Sequence, residues 1–313
     1  MSFKDELFSV SNEKYHKIIT IFGLRFKYFS NKLFIKNIEK QLQAQYNILN
    51  LVTSPSSLPT AKGNLREGQL FSIKLLKEIK QLCKENNINF WLDFGTLLGA
   101  IRHKGFIPWD SDIDISMLRE DYIKIIPLLK EKYDGTDIEI REYGYTNHFQ
   151  LRIQPKVDDT YGVDIFAIDK FNMKYSDIDS IKDINKRIKT SALKLKRKCK
   201  INKSFAKNIK EVRNYIYRLT NEHILSKKTI PTKTPALFFA IDYPFVDPKN
   251  FVIPYERLFP LGSIEFEGEE YNCPNNYIEY IENYYGKNFM FFPSKFKSGE
   301  DKIDDYIESL RKE

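Results

Sequence analysis

The chain has 313 residues, 42% hydrophobic and 14% aromatic, which excludes global disorder and supplies a core for two domains or for one catalytic core with additions. Three widely separated cysteines argue against a disulfide framework and against a structural zinc site. The net charge of +8 suggests an anionic partner, either nucleotide, nucleic acid, acidic polysaccharide or anionic membrane, although a Lys-, Ile- and Asn-rich composition also reflects genome bias.

Residues 1–55 form an N-terminal extension with a short apolar run, Ile18 to Phe26, bracketed by Lys and Arg. The extension lacks a signal-peptide pattern, and no stretch reaches the roughly 18 apolar residues that a spanning helix needs. We expect a cytoplasmic protein, or one held peripherally on the inner face of the cytoplasmic membrane. The extension is then an interfacial membrane contact or a small β element. A linker rich in Pro, Ser and Thr follows at 53–64.

Residues 56–170 alternate between helix and strand and form the predicted catalytic core. Apolar residues at helical spacing predict a helix over 66–86, and a shorter helix follows at 95–104. A third helix is predicted over 119–133, kinked or interrupted at Pro127. The predicted strands are 88–93, 112–117, 137–143, 148–155 and 161–169. This order predicts an α/β mixed sheet with helices on at least one face. Residues 171–313 hold a basic run, 182–213, and a helical or irregular C-terminal part rich in Tyr, Phe and Pro.

Two aspartates in the stretch DIDISM have the spacing of a metal site. Because side chains alternate along a strand, Asp112 and Asp114 project to one side, with Cα atoms about 6.6 Å apart. Two carboxylates this close repel each other unless one is protonated or a cation lies between them. A site of oxygen atoms alone favours Mg²⁺, with Mn²⁺ as the second choice. The alternative is a pair of exposed aspartates on an edge strand or turn.

A Gly-Thr pair precedes this strand and opens the short helix, where free backbone N–H groups favour an anion. Gly95 and Thr96 are therefore candidates to bind a phosphate. Arg102, His103 and Lys104 add three potential cations: Arg grips phosphate oxygens, Lys is a point charge, and His donates or relays a proton. A solvated basic turn is the alternative reading of the three.

A third carboxylate is expected if the metal centre also activates a nucleophile. Asp164 is the best candidate because it lies on an apolar strand between Val163 and Ile165, where an unpaired carboxylate would be costly. A structural capping role is the alternative. Trp109, just before the D-x-D, is a candidate for substrate binding, with packing left open.

The stretch WLDFGTLLGAIRHKGFIPWDSDIDISM, residues 91–117, resembles the signature of the LicD family of phosphotransferases, which is also related to the fukutin-related proteins. VDIFAID resembles that family's later acidic strand, with Ala167 where Pro is expected. Residues 259–293 resemble its C-terminal block. The resemblance covers about 65–170 and 255–295. The cysteine set of some fukutin-related members is not reproduced, since only Cys273 lies in that block, so no zinc site is expected.

The resemblance implies a nucleotidyltransferase-like fold that uses Mg²⁺. It also implies transfer of a phospho-alcohol, such as phosphocholine, from a CDP-linked donor to a sugar hydroxyl of a cell-surface glycan. Asp112, Asp114 and Asp164 would then be metal ligands, with Asp164 placed to orient or deprotonate the acceptor hydroxyl. The turn residues would hold the donor phosphates and the basic trio would neutralise them. An aromatic cage is expected for choline, drawn from the C-terminal aromatics. Those aromatics are Tyr277, Tyr280, Tyr284, Tyr285 and Phe289.

The expected acceptor is a glycan or lipid-linked glycan of a capsule, lipo-oligosaccharide or teichoic acid, with residues 171–313 shaping the acceptor site. Two rival functions stay open. One is a nucleotidyltransferase that uses an NTP on nucleic acid or a small metabolite, although no RNA-binding motif supports a nucleic-acid partner. The other is a binding module without catalysis, since a fold alone does not guarantee activity.

Overall fold

The protein is described from a computed structural model that covers residues 8–13, 16–21, 24–145, 148–171, 235–239, 252–292 and 300–311. The basic run 182–213 lies outside these ranges. By its internal contacts the chain divides into two compact units. One consists of Met1–Ser57 with Met290–Lys297, and the other of Leu58–Phe289 with Ser298–Glu313.

The N-terminal unit contains a three-stranded antiparallel sheet of β1 (Phe8–Glu13), β2 (His16–Ile21) and β3 (Leu24–Phe29). Helix α1 (Asn31–Val52) follows, and the Ser30 hydroxyl caps it by accepting a hydrogen bond from the Leu33 N–H. No residue of α1 is buried. None of the helices in the ranges given above is long and apolar enough to cross a membrane.

A 3₁₀ turn, Pro55–Ser57, lies at the end of Met1–Ser57. The larger unit begins at Leu58, and its first helix, α2 (Gly63–Glu85), buries its apolar face in the core. Its remaining helices and strands in chain order are as follows: β4 (Phe90–Leu92), α3 (Phe94–His103), β5 (Asp112–Leu118), α4 (Arg119–Lys132), β6 (Ile138–Tyr145), β7 (His148–Pro155), β8 (Gly162–Phe171), β9 (Ala236–Phe239), β10 (Val252–Pro254), α5 (Tyr255–Leu258), β11 (Gly262–Phe266), β12 (Glu269–Cys273), α6 (Tyr277–Tyr285) and α7 (Glu300–Arg311).

Seven of these strands form one mixed sheet. The central strands β5 and β8 pair in parallel, and β4, β7, β9 and β10 add antiparallel pairs. Strand β6 pairs with β7 only, and β11 and β12 form a separate hairpin. Helices α2 and α4 both pack against β5 and β8. The α/β mixed sheet flanked by helices that the sequence predicts is therefore confirmed.

The alternating pattern of β5 determines where the site lies. Ile113 and Ile115 are fully buried in the main core, whereas Asp112 and Asp114 on the other face are partly exposed. The polar face of β5 is thus presented beside the start of α3.

The predicted helix at 119–133 is not interrupted at Pro127. Pro127 lies inside α4, and the helix continues to Lys132.

Candidate active site

The structure brings the three aspartates singled out from the sequence onto one face of the sheet. In the parallel pairing of β5 with β8, Asp114 lies directly beside Asp164. Asp112 precedes Asp114 by two residues and therefore projects to the same side. On the other edge of β8, Arg152 of β7 lies directly beside Asp164. We call Asp112, Asp114, Asp164 and Arg152 the acidic row.

Arg152 connects two of the three carboxylates. Its Nη1 lies 2.7 Å from Asp164 Oδ2 and 3.1 Å from Asp112 Oδ2. Asp164 is 4% exposed and Arg152 is 8% exposed, so this pairing is largely shielded from solvent. The carboxylates predicted to share one metal ion therefore lie together, but a guanidinium group lies between two of them.

The start of α3 binds the side chain and backbone of Asp114. The Gly95 N–H donates to Asp114 Oδ2 at 3.1 Å, and the Asp114 N–H donates to the Thr96 hydroxyl at 2.8 Å. Burial raises the pKa of Asp114 well above its usual value, and the charges of Asp112 and Asp164 raise it further. The Gly-Thr pair predicted to hold a phosphate thus positions a carboxylate of the chain itself.

A fourth carboxylate, Asp110, belongs to the same site and was missed from the sequence. A Cβ atom added to Gly95 would lie 2.8 Å from Asp110 Oδ2 and 3.4 Å from Asp114 Oδ2. Glycine at this position therefore leaves room for two carboxylates above the start of α3. The spacing of Asp110, Asp112 and Asp114 extends the D-x-D by one step, and that extended pattern could have indicated it.

Asp93 lies beneath the acidic row, in the core, and the sequence patterns do not single it out either. It is fully buried, and it accepts hydrogen bonds from the Ser116 hydroxyl at 2.5 Å and the Tyr280 hydroxyl at 2.8 Å. Its Oδ1 also caps α3 by accepting from the Phe94 N–H. Burial raises the pKa of Asp93 to about 6, although these hydrogen bonds act in the opposite direction.

The predicted basic trio lies at the opposite end of α3 from Gly95. The trio begins with Arg102, seven residues after Gly95, which is roughly 10 Å along the helix axis. Buried Arg102 donates to the backbone oxygen of Phe289 at 3.1 Å. Lys104 is exposed and pairs with Glu265 at 3.0 Å. Burial lowers the pKa of His103 to about 4, and Arg102 lowers it further, so His103 is neutral at physiological pH.

Most of the candidate aromatic residues pack against other side chains of the protein. The Trp109 ring packs 6.2 Å from the ring of Tyr306, and Tyr280 is committed to Asp93. Phe289 is buried, and Tyr277 packs against the core. Burial raises the pKa of Tyr285, and the negative charges of Asp114, Asp110 and Asp93 raise it further.

A second aromatic group lies next to the acidic row. The Phe94 ring has T-shaped contacts, with centroid distances of 4.8 Å to Tyr284, 5.0 Å to Phe239 and 5.2 Å to Phe166. Phe94 has a left-handed backbone (φ 39°), a strained conformation for a bulky residue. Phe166 follows Asp164 by two residues, so both project from the same face of β8.

Within the ranges that the structure describes, no group of three or more His, Cys, Asp or Glu side chains is arranged to hold a metal ion. Asp112 and Asp114 still fit Mg²⁺, which proteins usually bind through one or two carboxylates together with substrate phosphates. The accumulation of negative charge around Asp114 is the observation that favours a cation there. The role of Asp164 as a third ligand stays a prediction.

Comparison with known proteins places these residues in a family. Residues 87–214 match the family model described as LicD/FKTN/FKRP, nucleotidyltransferase domain. The chain is 28% identical over 250 residues to the lipopolysaccharide cholinephosphotransferase LicD of Haemophilus influenzae, covering 74% of this chain and 93% of that protein. An uncharacterized protein of Rickettsia typhi is 36% identical over 115 residues, 36% of this chain and 35% of that one. The human ribitol 5-phosphate transferase FKRP is 50% identical over 34 residues, 11% of this chain and 7% of that protein.

The mixed sheet presents clustered aspartates beside the start of a helix, and this arrangement lies inside the region that matches the family model. Together they define an α/β enzyme domain. Residues 87–214 match the nucleotidyltransferase domain of the LicD/FKTN/FKRP family model, and the chain is similar to a LicD cholinephosphotransferase and, over a short stretch, to FKRP. The resemblance seen in the motifs of residues 91–117 is therefore confirmed.

Proposed function

We propose that the protein transfers a phospho-alcohol, phosphocholine first, from a CDP-linked donor to a sugar hydroxyl of a cell-surface glycan. The LicD-family domain and the similarity to a cholinephosphotransferase make the chain a phosphotransferase. The name of the Haemophilus influenzae relative supports choline as the alcohol and a lipopolysaccharide as the acceptor. Capsule and teichoic acid are further acceptors of the same chemical class. The observation that carries the proposal is the acidic row beside the start of α3.

The proposed reaction depends on positioning and on charge, as phosphoryl transfer generally does. Asp112 and Asp114 would hold Mg²⁺, which on binding neutralises charge on the transferring phosphate. The Gly95 N–H binds the carboxylate of Asp114 and the Thr96 hydroxyl accepts from its backbone N–H, which together orient Asp114 toward the start of α3. Asp164, next to it on β8, is the candidate to orient the acceptor hydroxyl or take its proton.

The aromatic group is the proposed contact for the alcohol. A quaternary ammonium binds to the faces of aromatic rings. Phe94 and Tyr284 are only partly buried, as is Phe166, which projects from the same strand face as Asp164. These rings adjoin the acidic row, so a choline group there would lie a short distance from its phosphate. Phosphoethanolamine, glycerol phosphate and ribitol phosphate lack that positive quaternary centre and would bind these rings less well.

The test is a panel of CDP-alcohols with Mg²⁺ and candidate glycans, with CMP release as the measurement. We expect release with CDP-choline, and loss of at least about a hundredfold in rate in Asp112→Asn. The matched control is Asp169→Asn, which removes a carboxylate from the same sheet that pairs with Arg119 instead of facing the acidic row. Equal rates in Asp112→Asn and the wild type would refute the assigned site. Pyrophosphate release from an NTP without turnover of any CDP-alcohol would favour the nucleotidyltransferase alternative.

We also propose that the N-terminal unit holds the protein on the inner, anionic face of the cytoplasmic membrane. On one face of its sheet, Leu24, Phe26 and Tyr28 project with Val10, and these four side chains are 46–66% exposed. Residues 8–52 carry seven Lys or Arg and two Glu, so the unit is basic as well as apolar. A basic unit with an exposed apolar surface suits a bilayer that contains anionic lipid.

Cosedimentation of the full chain with vesicles tests this attachment. We expect binding to vesicles of phosphatidylglycerol and phosphatidylcholine, and loss of binding in the double variant Leu24→Ser/Phe26→Ser. Thr20→Ser, a polar exchange on the opposite face of the sheet, is the matched control. Binding that survives the double variant would contradict the proposal. Concentration-dependent dimerisation that the double variant abolishes, without vesicle binding, would instead assign this face to a second copy of the chain.

A further inference from the structure

Arg152 is held in one position by a complete set of acceptors. Its Nε donates to Gln154 Oε1 at 3.0 Å, and Nη2 donates to the backbone oxygens of Asp159 and Thr160 at 2.9 and 3.3 Å. Its Nη1 donates to Asp112 and Asp164. Five hydrogen bonds match the five N–H groups of a guanidinium. A side chain bound in this way cannot turn out of the site without giving up several charge-assisted bonds.

The guanidinium group of Arg152 binds one oxygen of each of two of the three aspartates. Nη1 lies between Asp112 Oδ2 and Asp164 Oδ2, and both distances are those of direct ion pairs. Asp164 is thereby directed toward Arg152, although it lies beside Asp114 in the sheet. One fixed positive charge thus offsets part of the negative charge of the row. Asp112 is the more exposed partner, its side chain 24% exposed against 6% for Asp164.

We propose that Arg152 is a positioning residue that acts as an internal cation: it retains Asp164 and leaves a divalent ion two carboxylates, Asp112 and Asp114. This inference rests on the proposed function, because it concerns the metal that the function requires. The arrangement keeps Asp164 oriented and outside the metal's coordination, where its carboxylate can face an acceptor hydroxyl. Arginine suits this role better than lysine, since its planar fork stays charged and bridges two carboxylates at once.

Binding of Mn²⁺ alone, measured by the loss of its free-ion electron paramagnetic resonance signal, tests the inference without donor or acceptor. In Arg152→Met, a positive charge beside the site is removed and Asp164 is released. We therefore expect the Kd for Mn²⁺ to fall by on the order of tenfold or more. Arg152→Lys keeps the charge, and we expect its Kd to stay within about threefold of the wild type.

A double variant identifies the carboxylate that is responsible. In Arg152→Met/Asp164→Asn, the gain in affinity should be lost, since the released group is no longer a carboxylate. The inference would be overturned if the double variant still bound Mn²⁺ more tightly than the wild type, or if Arg152→Met bound Mn²⁺ no more tightly than the wild type. It would also be overturned if Arg152→Lys gained as much affinity for Mn²⁺ as Arg152→Met.

Thermal unfolding supplies a second readout and the matched control. Arg152→Met should lower the Tm because it leaves two shielded carboxylates unpaired, and Mn²⁺ should raise its Tm more than that of the wild type. Arg119→Met breaks the bidentate pair with Asp169, at 2.9 Å for both bonds, away from the row. Arg119→Met should have a lower Tm than the wild type, but Mn²⁺ should raise its Tm by the same amount as it raises that of the wild type. An equal response to Mn²⁺ in the two variants would refute the inference.

The two proposals fail in different ways. If Asp112→Asn and the wild type bind Mn²⁺ equally, the metal site of the proposed function is wrong. If Asp112→Asn abolishes binding but Arg152→Met does not strengthen it, the metal site stands and only the role of Arg152 is refuted.

Discussion

Replacing Asp93 by Asn should change how stability depends on pH. Asp93 is fully buried, and its pKa rises from the ordinary 3.8 to about 6 in the folded state. The folded protein therefore holds this proton more tightly than the unfolded chain, and stability is lost as pH rises from about 3.8 through 6. A difference of about two pKa units corresponds to about 3 kcal/mol, of which roughly 2 kcal/mol falls between pH 4.5 and 7.5.

The assay is urea unfolding of the wild type and Asp93→Asn across that pH range, followed by fluorescence of the buried Trp91. The free energy of unfolding of the wild type, relative to the variant, should fall by about 2 kcal/mol from pH 4.5 to 7.5. Asn lacks the titrating group but keeps the shape and an acceptor for the Phe94 N–H. Ser116→Ala removes a donor to the carboxylate, so the loss should increase. Parallel profiles for wild type and Asp93→Asn would refute the reasoning.

Three further outcomes are expected around α3. Gly99→Ala should destabilise by about 1–3 kcal/mol, because its Cβ would lie 2.4 Å from the backbone oxygen of Gly105; an unchanged Tm would contradict this. Lys104→Ala breaks an exposed ion pair with Glu265, so it should lower the free energy of unfolding by under about 1 kcal/mol. The KM for the donor should stay within about twofold of the wild type; a large rise would support the phosphate-binding role predicted from the sequence. His103→Gln should leave the pH profile of CMP release between pH 5.5 and 8 unchanged, because His103 is already neutral there; loss of a limb near pH 6.5 would show that it titrates in the reaction.

Much of the site could be predicted because it depends on local patterns. The two-residue period of strands placed Asp112 and Asp114 on one face, and an aspartate amid apolar residues singled out Asp164. The strand, turn and helix that precede them were also predicted, with β4 shorter than expected. These features depend on residues that are near one another in the sequence.

The rest could not be predicted, because it depends on which strands become neighbours. Arg152 enters the site only because β7 pairs antiparallel with β8, and no local pattern distinguishes it from other arginines. Tyr280 reaches Asp93 across 187 residues of sequence. The basic trio follows Gly95 closely in sequence but lies at the C-terminal end of α3, so its contact with the donor phosphates stays a prediction.

The reciprocal bonds between Asp114 and the start of α3 have a consequence for the order of folding. Gly95 and Asp114 are 19 residues apart, so closing the loop between them costs little chain entropy. Arg152 and Asp112 are 40 residues apart and also require a correctly registered hairpin. Asp112 and Asp114 can therefore assemble with the start of α3 before Arg152 and Asp164 arrive together on the β7–β8 hairpin. Like-charge repulsion between the first two carboxylates would favour early docking of that hairpin, because it carries the arginine.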